Sequence, residues 1–221
     1  MNGTMNGSYT INKNTTNLSL TITPSTTVTY PTETTATGSG CPSQITCTLY
    51  RNGVSVGSSS DVKTLAVGVY NYTYNTTGNA NYTADSETSN LTVNKGTGLV
   101  FTYLNNSRAN ITIEQQTVIY LNGTLEIGVG NIKLYNNGTL INQGSSPLSN
   151  LTNFTTAGLY NITTQYDGNA NYTSDFETWY VNVTELDATP PQVLILYPQN
   201  ITYNPVQTQL NYTVSDNFAL D

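Results

Sequence analysis

Gly68-Val-Tyr-Asn-Tyr-Thr73 returns 90 residues later as Gly158-Leu-Tyr-Asn-Ile-Thr163. The next stretch is repeated at the same distance, since Gly78-Asn-Ala-Asn-Tyr-Thr83 returns as Gly168-Asn-Ala-Asn-Tyr-Thr173. A period of this length, without a gap, is that of a whole domain rather than of a solenoid repeat. The sequence therefore predicts an array of similar domains in tandem.

Strand patterns dominate the chain. Thr, Val, Ile and Tyr alternate with Asn and Ser, which is the two-residue period of a half-buried β-strand. No stretch carries apolar residues at helical spacing. The clearest predicted strands are residues 18–22, 44–50, 110–113, 132–135 and 179–183.

Three Asn-Gly pairs lie between such runs, at Asn52-Gly53, Asn122-Gly123 and Asn137-Gly138. Both residues of such a pair accept the positive φ of a type I′ hairpin turn, so we predict an antiparallel hairpin at each. Short strands in units of about 80 to 90 residues favour a Greek-key β-sandwich over one large barrel. The predicted fold class is all-β, with Greek-key β-sandwiches in tandem.

Placing the repeat on this fold divides the chain into four parts. Residues 15–95 and 96–186 are predicted to be the first and second domains. Residues 187–221 contain the linker Asp187-Ala-Thr-Pro-Pro191 and two strands, at 193–197 and 209–215, of a partial third domain. Residues 1–14 are predicted to supply the terminal strand of a preceding repeat, or a donor strand, because residues 9–13 resemble residues 91–95.

The repeated stretch resembles the penultimate strand and following loop of bacterial and archaeal immunoglobulin-like repeats of cell-surface proteins. Those repeats carry a Gly-x-Tyr start and a Tyr-x-Gly-Asp/Asn-x-Asn-Tyr loop, and residues 158–172 match both. Residues 68–82 depart from the pattern at Thr76, where the second copy has Tyr166. Residues 190–203 resemble the opening of another immunoglobulin-like class, common in archaeal surface proteins. The resemblance implies that the tandem β-sandwiches are immunoglobulin-like, and that the protein is a surface stalk, adhesin or filament without catalysis.

The tyrosine of the Gly-x-Tyr start allows two interpretations. Tyr70 and Tyr160 can return a hydroxyl to a backbone group, as in the tyrosine corner of sandwich domains. Each can equally be an ordinary inward-facing aromatic residue. Gly78 and Gly168 are predicted to permit a tight loop before the final strand.

The strongest chemical signal is a set of nineteen Asn-x-Ser/Thr sequons. Random placement at this composition would give roughly eight, so we predict N-glycosylation of many of them. Strand alternation is the competing explanation, because Asn and Thr two residues apart point outward together. The predicted turn positions of Asn122 and Asn137 favour the glycan interpretation. The sites are Asn2, Asn6, Asn14, Asn17, Asn71, Asn75, Asn81, Asn90, Asn105, Asn110, Asn122, Asn137, Asn150, Asn153, Asn161, Asn171, Asn182, Asn200 and Asn211.

Charge and hydropathy limit the partners. The formal net charge is -7, with six basic residues, so no basic surface for nucleic acid or anionic lipid is expected. The longest apolar run, Val193-Leu-Ile-Leu-Tyr197, is too short to span a membrane. The expected partners are other copies of the chain or other repeats of it. One of the two hypotheses for their contact is that subunits donate strands to one another. Exposed edges of threonine-rich strands invite such pairing, and bulky sugars would restrict it.

Cys41 and Cys47 are the only cysteines. The chain has no histidine, so a zinc site lacks ligands, and a redox pair would more often be two residues apart. We predict a disulfide that closes this loop, in an oxidising extracellular setting at the cell surface.

Catalytic chemistry has little support. Without histidine there is no Ser-His-Asp or Cys-His arrangement. The carboxylate pairs Asp85/Glu87 and Asp175/Glu177 repeat between the domains, which favours a structural role or, with Asp167, a calcium site. The single tryptophan, Trp179, is expected to pack in a core or between domains.

Two functions remain after sequence analysis. In the first, the chain is a structural component of an extracellular, N-glycosylated stalk or filament on an archaeal-type cell surface. In the second, it is an adhesin module that recognises a surface glycan or protein. The first is preferred, because the loops lack a cluster of aromatic and arginine anchors. No catalytic residue and no cofactor are predicted.

Overall fold

The computed structural model describes residues 9–199, 201–202, 204–205 and 208–216. These residues form eighteen strands and no helix. In chain order the strands are β1 Ser19–Thr23, β2 Thr27–Thr29, β3 Glu33–Ser39, β4 Thr48–Arg51, β5 Val54–Gly57, β6 Ser60–Thr64, β7 Gly68–Thr76, β8 Asp85–Asn94, β9 Leu99–Leu104, β10 Ile111–Glu114, β11 Thr117–Ile127, β12 Asn131–Asn136, β13 Thr139–Ser145, β14 Leu148–Phe154, β15 Gly158–Tyr166, β16 Asp175–Thr184, β17 Gln192–Tyr197 and β18 Asn211–Ser215.

The first sixteen strands form two β-sandwiches of the same topology. In the first sandwich a three-stranded sheet, β1-β3-β6, faces a five-stranded sheet, β2-β8-β7-β4-β5. In the second sandwich β9-β11-β14 faces β10-β16-β15-β12-β13. The predicted all-β, immunoglobulin-like fold is therefore confirmed. Strands β17 and β18 pair only with each other, antiparallel.

The opening segment of each sandwich contributes to both sheets. Strand β1 pairs antiparallel with β3, and β2 then crosses to pair in parallel with β8. Strand β9 likewise pairs with β11, and β10 crosses to pair in parallel with β16. Because the opening segment pairs first with one sheet and then with the other, it connects the two sheets along one edge of the sandwich and covers the core there.

Each sandwich has its own hydrophobic core. Leu49, Tyr72 and Leu91 are fully buried in the first, and Leu134, Ile162 and Val181 in the second. They come from neighbouring strands of the five-stranded sheet of each sandwich, at positions that face inward, as the two-residue period predicts. Each such side chain contributes about 1.5–3 kcal/mol to stability through burial.

Two of the three predicted Asn-Gly turns are confirmed. Asn52 and Gly53 have φ of 50° and 78°, and Asn137 and Gly138 have 47° and 76°. They connect β4 with β5 and β12 with β13. All four values lie in the left-handed region that a type I′ turn requires.

The predicted turn at Asn122-Gly123 is wrong, because both residues lie inside β11. Gly123 pairs with Leu148 on one side and Thr102 on the other. A Cβ at this glycine would lie 2.7 Å from Oγ1 of Thr164 in the facing sheet. The glycine therefore serves close packing between the sheets, and a turn is not needed to explain it.

Some predicted strands differ in extent. The strand predicted at 44–50 is confined to β4, because the residues before it belong to the loop that the disulfide closes. Residues 9–13 lie in no strand, and only Asn14 forms a bridge, with Tyr82. Residues 1–8 lie outside the described part of the chain.

Candidate functional site: the joint between the sandwiches

The loop of residues 168–173 in the second sandwich contacts one end of the first. The ring of Tyr30, directly after β2, meets the ring of Tyr172 edge to face, with centroids 5.3 Å apart. Tyr172 is 9% exposed and belongs to the second core, against which Tyr30 also packs. We call this contact region the joint.

Backbone hydrogen bonds connect Gly96, in the segment that leads from β8 to β9, to the same loop. Gly96 N donates to Asn171 O at 3.0 Å, and Thr173 N donates to Gly96 O at 2.9 Å. A Cβ at Gly96 would lie 2.5 Å from Tyr30 O and 3.1 Å from the Tyr172 ring. The two sandwiches therefore meet at a packed contact rather than through a free linker.

Two polar contacts add to the joint. Lys95 Nζ donates to Asn169 O at 2.7 Å, and Val67 N donates to Asn171 Oδ1 at 3.1 Å. The loop is pre-formed, because Asn169 Oδ1 accepts hydrogen bonds from Asn171 N at 2.7 Å and Tyr172 N at 2.9 Å. Its shape thus requires no ordering by the first sandwich.

The matching loop of the first sandwich has the same internal structure. Asn79 Oδ1 accepts from Asn81 N at 2.8 Å and Tyr82 N at 2.9 Å. Asn14 takes the place of Gly96, since Asn14 N donates to Asn81 O at 2.8 Å and Thr83 N donates to Asn14 O at 3.0 Å. Tyr82 is half-buried and donates its hydroxyl to Gln44 Oε1 at 3.1 Å.

The predicted role of the loop glycines is confirmed. Gly78 and Gly168 have φ of 68° and 77°. A Cβ at Gly78 would lie 2.6 Å from Tyr82 O, and one at Gly168 would lie 2.7 Å from Ser174 N. Both positions require glycine for conformation and for space.

The far end of the second sandwich lacks the tyrosine of the joint. Tyr30 N donates to Asn94 O at 2.9 Å, and the matching donor in the second sandwich is Gln115 N, to Thr184 O at 3.0 Å. Gln115 Oε1 then accepts from Leu186 N at 3.2 Å. The chemistry of the joint is therefore specific to the boundary between the two sandwiches.

Both candidate tyrosine corners are present. Tyr70 donates its hydroxyl to Ala66 O at 2.9 Å, and Tyr160 donates to Thr156 O at 2.9 Å. The ring of Tyr160 also packs edge-on against Phe154, with centroids 4.9 Å apart. The corner interpretation explains these tyrosines better than simple inward packing.

The repeated aspartates hold the two sheets together. Asp85 Oδ2 accepts from Leu18 N at 2.9 Å, and Asp175 Oδ2 accepts from Val100 N at 2.9 Å. These contacts join β8 to the start of β1 and β16 to β9. They give the repeated carboxylates a structural role.

In the second sandwich Glu177 adds another carboxylate contact between β16 and β9. It accepts from Thr102 N at 2.7 Å and from Nε and Nη2 of Arg108 at 2.9 and 2.6 Å. Burial opposes ionisation of this carboxyl, but the Arg108 and Thr102 hydrogen bonds outweigh it, so the pKa of Glu177 lies below its ordinary value. Glu87, at the matching position, is exposed.

The described residues contain no cluster of acidic side chains for the calcium site that the sequence left open. Asp167 accepts from Lys133 Nζ at 2.6 Å and from Gln165 Nε2 at 2.6 Å. These two hydrogen bonds lower the pKa of Asp167. Within the described ranges no three His, Cys, Asp or Glu side chains are grouped as metal ligands.

The disulfide between Cys41 and Cys47 is formed, as predicted. It closes the loop between β3 and β4, and Cys47 is buried in the first core. Trp179 packs against the second core, in agreement with its expected packing role.

The structure sorts the sequons by the exposure of their asparagines. Asn2, Asn6 and Asn200 lie outside the described residues. Exposed asparagines are Asn14, Asn17, Asn71, Asn81, Asn90, Asn105, Asn110, Asn137, Asn153, Asn182 and Asn211. Half-buried ones are Asn75, Asn122, Asn150, Asn161 and Asn171. Many of the exposed asparagines lie on strands, as the alternation argument requires. Their positions therefore agree with both the strand explanation and the glycan explanation of the sequons.

Sequence analysis missed an aromatic surface on the outer face of β9-β11-β14. It includes Phe101, Tyr103 and the exposed Tyr120, and the Arg108 guanidinium lies 3.4 Å from the Phe101 ring centre. Only Arg108 of these residues lies in a loop, whereas Phe101 and Tyr103 lie on β9 and Tyr120 on β11, so the surface forms only when the fold brings the two strands and the loop together.

Comparisons with known proteins add little beyond the fold. No family model matches the chain, and a search of curated proteins finds no similar sequence. Solved structures with similar folds include fibronectin(III)-like modules of Clostridium thermocellum CbhA, with 12% identity, 76% of this chain and 94% of that chain covered, and a TM-score of 0.33. Murine CEACAM1b has 11% identity, 76% and 100% coverage and a TM-score of 0.28. The I9–I11 tandem of titin has 13% identity, 72% and 63% coverage and a TM-score of 0.31.

Since the described residues form strands alone, they contain no apolar helix that could span a membrane.

Proposed function

We propose that the chain is a structural segment of an extracellular, N-glycosylated stalk or filament on a cell surface. The joint is the observation that carries the proposal. Tyr30, Gly96 and Tyr172 are packed so that one sandwich follows the other in fixed contact. A segment that holds other parts at a distance needs such contacts between its units, because a free linker would let them fold back.

The proposed units are residues 15–95 and 96–186, with 187–221 as linker and part of a third. The segment before the first unit supports an array that continues. Tyr9 and Ile11 are 93% and 94% exposed, whereas the matching Leu91 and Val93 are 0% and 3% exposed in the first core. Residues 9–13 therefore carry the pattern of a last strand, and we propose that another repeat, in the same or a second polypeptide, completes them.

The proposal includes N-glycans on the exposed sequons. The chain has only 9% charged residues, so charge does little to keep its sheet edges apart. Sugars on exposed asparagines such as Asn71, Asn90 and Asn153 would shield strands and edges from a second chain. The disulfide supports the extracellular location.

The test is made on the protein isolated from its native cells. Glycopeptide mass spectrometry is expected to find sugar on most of the eleven exposed asparagines. Protease added to intact cells is expected to cleave the protein. Bare asparagines throughout, or a protein protected inside intact cells, would contradict the proposal.

The adhesin alternative is favoured by one observation, the aromatic surface on the second sandwich.

A further inference from the structure

The three-stranded sheets of the two sandwiches have the same strand order and the same register, but different residues on their outer faces. The contacts of Leu18 with Asp85 and of Val100 with Asp175 align β1 with β9. In this alignment a row of three residues crosses each sheet. It is Thr21, Thr37 and Ser60 in the first sandwich, and Tyr103, Asn122 and Ser149 in the second.

A three-stranded sheet of this order forms without an aromatic residue or an amide in the row. The first sandwich forms the same sheet with threonine and serine on this face, and both sheets place a glycine, Gly38 or Gly123, next to the central residue of the row. Tyr103 and Asn122 thus replace residues that suffice for the strand. Tyrosine is among the residues that most often anchor a bound partner, so this row is a candidate ligand site.

The row lies in an open cavity of about 460 Å³ on the outer face. Its lining includes Tyr103, Asn106, Asn122, Thr124, Pro147 and Ser149, and none of the lining residues is charged. Pockets of about 300–1,000 Å³ are of the size that holds small ligands. One aromatic ring and the apolar side chains of Pro147 and Leu148 stand beside amides and hydroxyls, which suits a neutral ligand that has both C–H faces and hydroxyl groups.

The amide of Asn122 is held by no hydrogen bond at its oxygen. Oδ1 is buried and has no partner among the described residues. A turn of the amide that presents Oδ1 to a ligand hydroxyl therefore breaks no existing hydrogen bond there. Leaving a buried acceptor unpaired is unfavourable, so turning Oδ1 toward the cavity, where a ligand hydroxyl donates to it, is stabilising.

We propose that this face binds a neutral saccharide presented by another molecule, with a sugar ring against Tyr103 and its hydroxyls on Asn122 and Ser149. Sugar rings carry C–H faces that pack on an aromatic ring, and their hydroxyls both donate and accept. This site goes beyond the structural role proposed above, and each can fail without the other.

Asn122 is also a sequon, and a sugar attached to it would fill the same cavity. The binding experiment therefore uses the whole chain produced without N-glycosylation. Its probes are glucose, galactose, mannose, N-acetylglucosamine and their β1,4-linked dimers. At least one is expected to give saturable shifts in a two-dimensional NMR titration, with a Kd on the order of 1 mM.

The shifts locate the site without any substitution. They are expected on β9, β11 and β14, and not on the matched strands β1, β3 and β6. Tyr103→Thr, which introduces the matched residue of the first sandwich, and Asn122→Ala, which removes the acceptor, are each expected to weaken binding by about tenfold or more. The matched control Thr21→Ala, in the first sandwich, is expected to bind as the unchanged protein does.

Three outcomes overturn the proposal. The first is the absence of a saturable shift with any probe at about 10 mM. The second is a set of shifts on other strands. The third is a glycan on Asn122 of the native protein, because the attached sugar would then be the occupant. Bare exposed sequons elsewhere would count against the glycosylated stalk alone.

Discussion

The ring of Tyr30 stands edge-on to the ring of Tyr172, at an interplanar angle of 87°, so a residue of the first sandwich covers the core of the second. The matching loop tyrosine of the first sandwich, Tyr82, remains half-buried and contacts Gln44 instead. The same loop therefore occurs in two states within one chain, covered and uncovered. This pair gives matched variants for testing the joint.

Tyr30→Ala is expected to lower the free energy of unfolding of the second sandwich by about 1–3 kcal/mol, because it uncovers Tyr172 and leaves a cavity. Urea unfolding, followed by Trp179 fluorescence, measures the change. Tyr82→Ala is the control, since no second sandwich covers that loop, and it is expected to leave the Trp179 transition unchanged. Equal effects of the two substitutions would contradict the role given to Tyr30.

Gly96→Ala is expected to disturb the joint more than its size suggests. The new Cβ would meet Tyr30 O at 2.5 Å, and this neighbour is backbone, which cannot rotate away. We expect the thermal unfolding midpoint to fall by several degrees, since about 1 kcal/mol corresponds to roughly 2–4 °C in a chain of this size. Asn14→Ala, at the matching exposed position, is expected to have no effect. A wild-type midpoint for Gly96→Ala would count against a tightly packed joint.

Acid is expected to weaken the second sandwich through Glu177. Its folded-state pKa lies below the ordinary value of 4.5, so ionised Glu177 stabilises the fold above that pH. The contribution is lost as the pH falls through the lower, folded-state pKa. Glu177→Gln is expected to flatten the pH dependence of the unfolding free energy below about pH 4.5.

The matched control for this prediction is Glu87→Gln, because Glu87 is exposed at the same position of the first sandwich. Urea unfolding at a series of pH values between about 2.5 and 7 measures both variants. If the Glu177→Gln profile matches that of the unchanged protein, the Arg108 and Thr102 contacts do not stabilise the fold.

Reduction of the Cys41–Cys47 bond is expected to cost the first sandwich about 2 kcal/mol, the chain-entropy value for so short a loop. Thermal unfolding with and without reductant tests this. The Cys41→Ser/Cys47→Ser variant should match the reduced protein and show no response to reductant. A midpoint that reductant leaves unchanged in the natural sequence would show that the bond does not stabilise the sandwich.

Local pattern was sufficient for most of the fold. The two-residue alternation predicted the strands, and the repeat predicted that β7 and β15 are matching elements. Tyr70 and Tyr160 could be identified as corner candidates because the Gly-x-Tyr pattern is short and lies on one strand. The disulfide followed from the absence of any other partner for Cys41 and Cys47.

The errors arose where one pattern serves two physical purposes. Asn-Gly suits a tight turn, but Gly123 is needed because β11 passes close to Thr164 of the facing sheet. A single sequence does not distinguish these causes. The joint was missed for a different reason, since Tyr30 contacts a loop more than 100 residues away and has Gln115 at the matching position.

The central claim is that the two sandwiches are held in one fixed relation by the joint. Spin labels on Lys63→Cys and Asn153→Cys, both at exposed strand positions, report the distance between the sandwiches by pulsed electron resonance. We predict one narrow distance distribution, which Tyr30→Ala broadens. A broad distribution in the otherwise unchanged protein would contradict the claim.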